Sequence, residues 1–129
     1  MSMERNIITM SESGNIIMPN NIACIWMSEP ELVELFGVIA PTLRAAIRAV
    51  YKSVALKEYE VQKYLRLENG YHADVFNFPM IVALAFHIDS FGAEQVRNAV
   101  FERLYLRKEK TSIFFSLGSN GTKVSNYQA

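Results

Sequence analysis

The chain has little cysteine, little histidine and no net charge, and each shortage removes a class of function. Cys24 is its one cysteine. A lone thiol excludes an internal disulfide and a cysteine-built metal site. Beside Ile25 and Trp26, it reads as a buried, inert thiol. Two histidines, His72 and His87, are too few for a zinc centre. Thirteen Lys and Arg balance thirteen Asp and Glu. That neutrality argues against a general polyanion binder, since such proteins are basic overall. The longest apolar run, Met80–Phe86, falls far short of the ~20 residues a membrane-spanning helix needs. Residues 1–6 are polar, and the apolar triplets after them are too short for an export signal. A soluble cytoplasmic protein is expected, with no metal and no membrane partner.

Apolar residues make up 50% of the 129 positions and charged residues 20%, which suits one self-sufficient folded domain. The expectation is a single domain over residues 1–110, followed by a C-terminal strand and tail over 111–129. Ile7–Met10 and Ile16–Met18 flank Ser11-Glu12-Ser13-Gly14, the pattern of an N-terminal β-hairpin. Ile22–Met27 is a further extended stretch. Ser28-Glu29-Pro30-Glu31 then opens a helix. Ser28 and Glu31 form a capping box, Pro30 sits where no hydrogen bond is lost, and Met27 with Leu32 occupies the staple positions. Gly37 offers a left-handed exit. A second helix runs from Pro41-Thr42 to about Val54, with Leu43, Ile47, Val50 and Val54 on one buried face.

Asn69-Gly70, between the runs 61–67 and 71–76, predicts an antiparallel hairpin. Two C-terminal helices follow. The first spans about Phe78–Ile88 behind the cap Asn77 and is apolar nearly all round, hence central. Asp89–Gly92 breaks the chain. The second spans about Ala93–Lys108, with Val96, Val100, Leu104 and Phe101 turned inward. Trp26, Phe36, Phe76, Phe86 and Phe91 are expected to fill the core.

A helix, a glycine turn and a second helix make the layout of a helix-turn-helix. Leu32 and Phe36 supply the first helix's inner positions, Val38 follows the turn, and Leu43 and Ile47 supply the second's. Val33 departs from the pattern, since a small residue there lets the helices approach. The predicted fold is therefore α+β and winged helix-turn-helix-like, with the Asn-Gly hairpin as the wing. In such an arrangement the second helix enters the major groove. Arg44 is the candidate for a guanine edge, with Ala45 beside it, and Thr42, Arg48 and Lys52 lie along the same helix. Lys63 and Arg66 would meet the DNA backbone from the wing.

Charge is segregated along the chain. Residues 41–68 carry six basic and three acidic side chains, a balance of +3, whereas residues 1–37 carry one basic and five acidic, a balance of −4. A basic patch on a neutral protein is compatible with that division. The same Arg44, Arg48 and Lys52 spacing also describes a plain solvated helix face, and Ile39, Ala40 and Ala45 fit a protein interface as well as a groove. Phe114 and Phe115, adjacent and outside the helix pattern, suggest a partner surface if exposed.

The string Trp26-Met27-Ser28 … Glu34-Leu35-Phe36-Gly37-Val38 … Pro41-Thr42-Leu43 … Ile47 resembles the opening of the RhuM family of virulence-associated bacterial proteins. Val75-Phe76-Asn77, Phe86-His87-Ile88-Asp89-Ser90 and Gln95-Val96-Arg97 are similar to later strings of that family. Residues 25–106 carry the likeness through their order and spacing. The resemblance implies a helix-turn-helix DNA-binding domain. Ala46 stands where the family often has His, Val33 where it has Ala, and Ala99 near its Trp. The family often continues into a longer C-terminal region, where any activity housed there would be missing from this chain.

Nothing points to an enzyme. His87, Asp89 and Ser90 are close in sequence but diverge in direction, and His87 reads as a partly buried histidine. Gly118–Gly121 precedes no helix, as a phosphate loop would. Asp74 and Asp89 have no evident carboxylate partner for acid–base work. No cofactor and no small-molecule ligand are expected. The expectation is a transcriptional regulator-like protein that binds double-stranded DNA as a homodimer, since two half-sites give such modules their affinity. The alternative is a protein-protein interaction module that keeps the fold without the DNA.

Overall fold

The computed structural model describes residues 5–53 and 56–119, with side chains as far as residue 105. The fold is α+β, with five α-helices and two small antiparallel sheets among the described residues. Strands β1 (Thr9–Met10) and β2 (Ile16–Ile17) form the expected hairpin. Ile22–Cys24, expected to be extended, makes one 3-10 turn, because the Asn21 side chain accepts from the Ala23 N–H at 3.1 Å. Strand β3 (Trp26–Ser28) leads directly into α1 (Glu29–Phe36).

Local chemistry sets both ends of α1. Glu31 reaches back and accepts from the Ser28 N–H at 2.8 Å, the return arm of the capping box. Gly37 sits at φ 68°, ψ 40°. The N–H groups of Gly37 and Val38 both donate to the Val33 carbonyl, at 2.9 and 3.3 Å, and so close the helix. Only residues 37–39 separate α1 from α2 (Ala40–Lys52), so the two helices are close neighbours. Val33 is half-buried.

A one-turn helix, α3 (Glu58–Val61), precedes the second hairpin, where only strand was expected. Strands β4 (Gln62–Arg66) and β5 (His72–Asn77) pair with Gln62 opposite Phe76 and Arg66 opposite His72. β5 also pairs with β3, Met27 opposite Phe76, giving the order β3-β5-β4. The two-residue tight turn that Asn-Gly suggests is a three-residue loop instead. Leu67 N–H donates to Tyr71 O at 2.7 Å and Gly70 N–H to Leu67 O at 2.9 Å. The Ser11–Asn15 turn repeats the pattern at 2.8 and 2.9 Å.

Helix α4 (Phe78–His87) starts where Asn77 caps it, its side chain accepting from Met80 N–H at 3.3 Å. It buries Met80, Ile81, Leu84 and Ala85 and touches α2, α3 and β5, which makes it the central helix. Around it lie Leu32, Leu35 and Phe36 of α1, Leu43, Ile47 and Val50 of α2, and Val75 and Phe76 of the sheet.

Helix α5 (Phe91–Ser119) corrects three expectations. It starts two residues early, because the Ser90 hydroxyl accepts from Ala93 N–H at 3.1 Å and donates to Phe36 O at 2.7 Å. Gly92 therefore lies inside the helix, not in a break. It also continues through 111–117, so no strand forms there. Val96 is buried, but Val100 is only half-buried, and Phe101 and Leu104 are exposed rather than inward. Phe86 and Phe91 are exposed too, leaving Trp26, Phe36 and Phe76 as the aromatic core. The chain divides into two compact units, Met1–Arg97 and Asn98–Ala129. Residues 120–129 of the tail expected over 111–129 lie outside the described residues, as does Val54 of the second helix.

Candidate nucleic-acid interface

Helix α2 is amphipathic by spacing. Leu43, Ala46, Ile47 and Val50 are buried, while Thr42, Arg44, Ala45, Arg48 and Lys52 are exposed. Arg44, Arg48 and Lys52 recur every fourth residue, so at 3.6 residues per turn they run along one side of the helix. Five of the seven side chains expected at a duplex thus share one helix. Ile39, which precedes the first turn, is 66% exposed at the leading end.

Arg44 is engaged. Its Nε donates to Glu29 Oε1 of α1 at 3.2 Å, and both side chains are open to water. Such an exposed pair contributes ~0–1 kcal/mol. The pair is therefore weakly held, and Arg44 can exchange Glu29 for another acceptor at little cost.

The hairpin does not present its two cations together. Lys63 and Arg66 are three residues apart on β4, and a strand sends such positions to opposite faces. Lys63 shares its face with Trp26, and its Nζ lies 4.5 Å from the indole ring centre. That is a cation–π contact. Arg66 shares its face with Tyr64, His72 and Asp74. The two expected wing cations therefore lie on opposite faces of the hairpin.

Tyr51 stands at the far end of α2. The Tyr51 hydroxyl donates to Gln62 Oε1 at 2.6 Å. Burial, with the nearby charges of Glu58 and Asp74, pushes that hydroxyl up to about 12. Lys52, exposed in the same last turn, continues the basic row beside it.

The most extensively bonded charge lies elsewhere. Arg5, whose side chain is 4% exposed, donates from Nη1 to Trp26 O at 2.6 Å and to Glu31 Oε1 at 2.9 Å. Its Nη2 reaches Glu31 Oε2 at 3.0 Å and Glu68 Oε1 at 2.8 Å, and its Nε reaches Glu68 Oε2 at 3.3 Å. All five guanidinium donors are thereby used. The bonds to Glu31 outweigh burial and raise the Arg5 pKa. Burial alone would raise the Glu31 carboxyl, but the Arg5 and Ser28 hydrogen bonds and the Arg5 charge hold it below its usual range. The Arg5 hydrogen bond likewise lowers Glu68. One side chain so ties the N-terminal segment, the start of α1 and the hairpin loop together. The separations of 26 and 63 positions left no local signal for it. The stacking of Tyr64 on His72, ring centres 5.5 Å apart, was readable in principle from the hairpin register, since the two are diagonal neighbours on one face.

Several polar expectations change. Cys24 is half-exposed, not buried, and its Sγ accepts from Asn21 Nδ2 at 3.2 Å. His87 is exposed rather than partly buried. The Ser90 hydroxyl is committed to the α5 cap and to Phe36. Phe114 and Phe115 fall on α5, outside the residues whose side chains are described. No helix among the described residues is long and apolar enough to cross a membrane. No protein-family model, curated protein or solved structure matches the chain.

Proposed function

We propose that the chain is a sequence-specific double-stranded-DNA-binding protein, regulator-like, in which α2 enters the major groove. The observation that carries this reading is the exposed Thr42–Lys52 side of α2, backed by a buried apolar side and held against α1 by a three-residue glycine turn. The element sequence adds support: a strand, two helices and a hairpin, joined in a β3-β5-β4 sheet, is the layout a winged helix-turn-helix needs. The resemblance to the RhuM family agrees with it. Arg44 leaves Glu29 to read a base edge, and Thr42, Arg48 and Lys52 hold phosphates. Of the wing residues only one face at a time meets DNA, so Lys63 and Arg66 do not act as a pair. Two copies would place two recognition helices on adjacent half-sites.

Fluorescence anisotropy with mixed-sequence duplex DNA across a salt series tests the reading. Each neutralised phosphate contributes roughly −0.9 to the log–log slope. Binding with a slope of several units, reduced by about one in Arg48→Ala, supports it. Absence of binding at low salt overturns it. A specific observation then favours a protein-interaction module. Ile39 is exposed at the head of α2 next to Pro41 and Ala45, an apolar tip that suits a partner protein better than phosphates.

A further inference from the structure

A cleft of about 470 Å³ lies between α3 and the β4–β5 hairpin, lined by Glu58, Tyr59, Gln62, Lys63, Tyr64 and Asp74. Its chemistry is distinct from that of α2. Tyr59 is 76% exposed and Tyr64 69%. Tyr64 sits opposite Asp74 in the strand register, and its ring is braced by His72 at an interplanar angle of 19°. Glu58 comes from α3 and Asp74 from β5, so the two carboxylates reach the cleft from separate elements. Neither is in an ion pair among the described residues. Lys63 contributes to the wall, but its ammonium is drawn to the Trp26 ring on the other face of the sheet. The cleft therefore offers two tyrosine rings and two carboxylates that no ion pair among the described residues engages, with the Lys63 ammonium held at Trp26 and Arg66 beyond the lining on the Asp74 face.

The geometry points to a binding site for an arginine side chain of a partner polypeptide, stacked on Tyr59 and Tyr64 and hydrogen-bonded to Glu58 and Asp74. A phosphate is repelled there. A neutral ligand gains no ionic contact from either exposed carboxylate. A lysine ammonium is compact and strongly hydrated, and an open cleft gives it little reason to leave water. A guanidinium is planar, weakly hydrated and forked, so it stacks on a phenol ring while donating sideways to carboxylates. The raised Tyr51 hydroxyl is consistent with this, since Glu58 and Asp74 both contribute to it. The site is independent of the DNA reading and stands or falls without it.

The test is an NMR titration of the full chain, observing the tyrosine ring signals, with the peptide acetyl-Gly-Arg-Gly-amide and its citrulline and lysine counterparts. The arginine peptide is expected to shift Tyr59 and Tyr64 saturably. The citrulline peptide, uncharged but nearly isosteric, should bind about tenfold more weakly, equivalent to ~1.4 kcal/mol for a lost charge-assisted contact. Glu58→Gln and Asp74→Asn should each weaken the arginine peptide to a similar degree. Both are isosteric and exposed, so the amide spectrum should keep its dispersion. Glu12→Gln, in the N-terminal hairpin loop, should change nothing. No saturable shift, equal binding of citrulline, or full affinity in the Glu58→Gln/Asp74→Asn double variant would overturn the site. Equal binding of the lysine peptide would overturn the assignment to a guanidinium.

Discussion

Replacing Gly92 by alanine should cost far more than a single methyl group ordinarily does. An added Cβ would fall on the Leu35 carbonyl oxygen and lie 2.8 Å from the Phe36 Cα, where ordinary contacts begin at 3.4 Å. The obstructing atoms are the backbone of the last turn of α1, which cannot rotate aside. The start of α5 must move instead. That movement strains the Ser90–Phe36 hydrogen bond of 2.7 Å and loosens Ala93 and Val96, both fully buried. Overpacking against backbone belongs at the upper end of its usual range, ~3 kcal/mol. Loss of the hydrogen bond adds ~1 kcal/mol. The better helix propensity of alanine returns ~1 kcal/mol. The net expectation is a loss of about 3 kcal/mol. Urea unfolding followed by Trp26 fluorescence and far-ultraviolet dichroism measures it. Gly37→Ala is the comparison. Nothing lies within 4 Å of its added Cβ, so only the left-handed backbone at φ +68° resists it. That costs ~1 kcal/mol, once the entropy removed from the unfolded chain is subtracted. A Gly92→Ala protein as stable as the parent, or more stable than Gly37→Ala, would refute the close approach of α5 to α1.

The Arg5 cluster predicts a pH dependence. Glu31 and Glu68 have carboxyl pKa values lowered from the ordinary 4.5 by Arg5, so their contribution is full above that value. It is lost as pH falls through the lowered folded values. Arg5→Met should flatten that acid limb in pH-dependent urea titrations and, by leaving half-buried Glu31 without its partner, cost about 3 kcal/mol at neutral pH. An unchanged acid limb would show that the guanidinium does not set these carboxyls. Glu29→Gln should strengthen DNA binding several-fold in the anisotropy assay, by freeing Arg44 from an exposed pair worth ~0–1 kcal/mol. Arg44→Ala should weaken binding to the selected site, so the two variants move in opposite directions. Asn77→Ala should cost ~1–2 kcal/mol by chemical denaturation, since its side chain both caps α4 and donates to Glu60 O at 3.2 Å.

Elements whose causes are local were legible in the sequence. The α1 cap, the Gly37 exit, the Asn77 cap and both hairpins depend on residues within four or five positions of one another. The end of α5 was not legible. Val96, Val100 and Leu104 keep one four-residue spacing, yet Val96 is fully buried and Leu104 is 58% exposed. Periodicity reports which residues share a side of a helix, not how far a neighbour extends along it. The same limit applies to Phe86 and Phe91, whose apolar character marked them for a core that ends before reaching them.

The candidate site shows a second limit, which concerns charge. Summing residues 41–68 gives +3, and the sum suggests one basic surface. The fold distributes those charges by geometry. The α2 row keeps Arg44, Arg48 and Lys52 together because four-residue spacing matches the helix. Three-residue spacing on β4 sends Lys63 to Trp26 and Arg66 to Tyr64. Glu58, from the same segment, joins Asp74 to make a negative cleft beside the basic row. On the proposed reading, a duplex laid along α2 would meet the basic row from Arg44 to Lys52 and not the face that carries Glu58 and Asp74. Four-residue spacing on a helix and three-residue spacing on a strand thus separate charges that a running sum adds together.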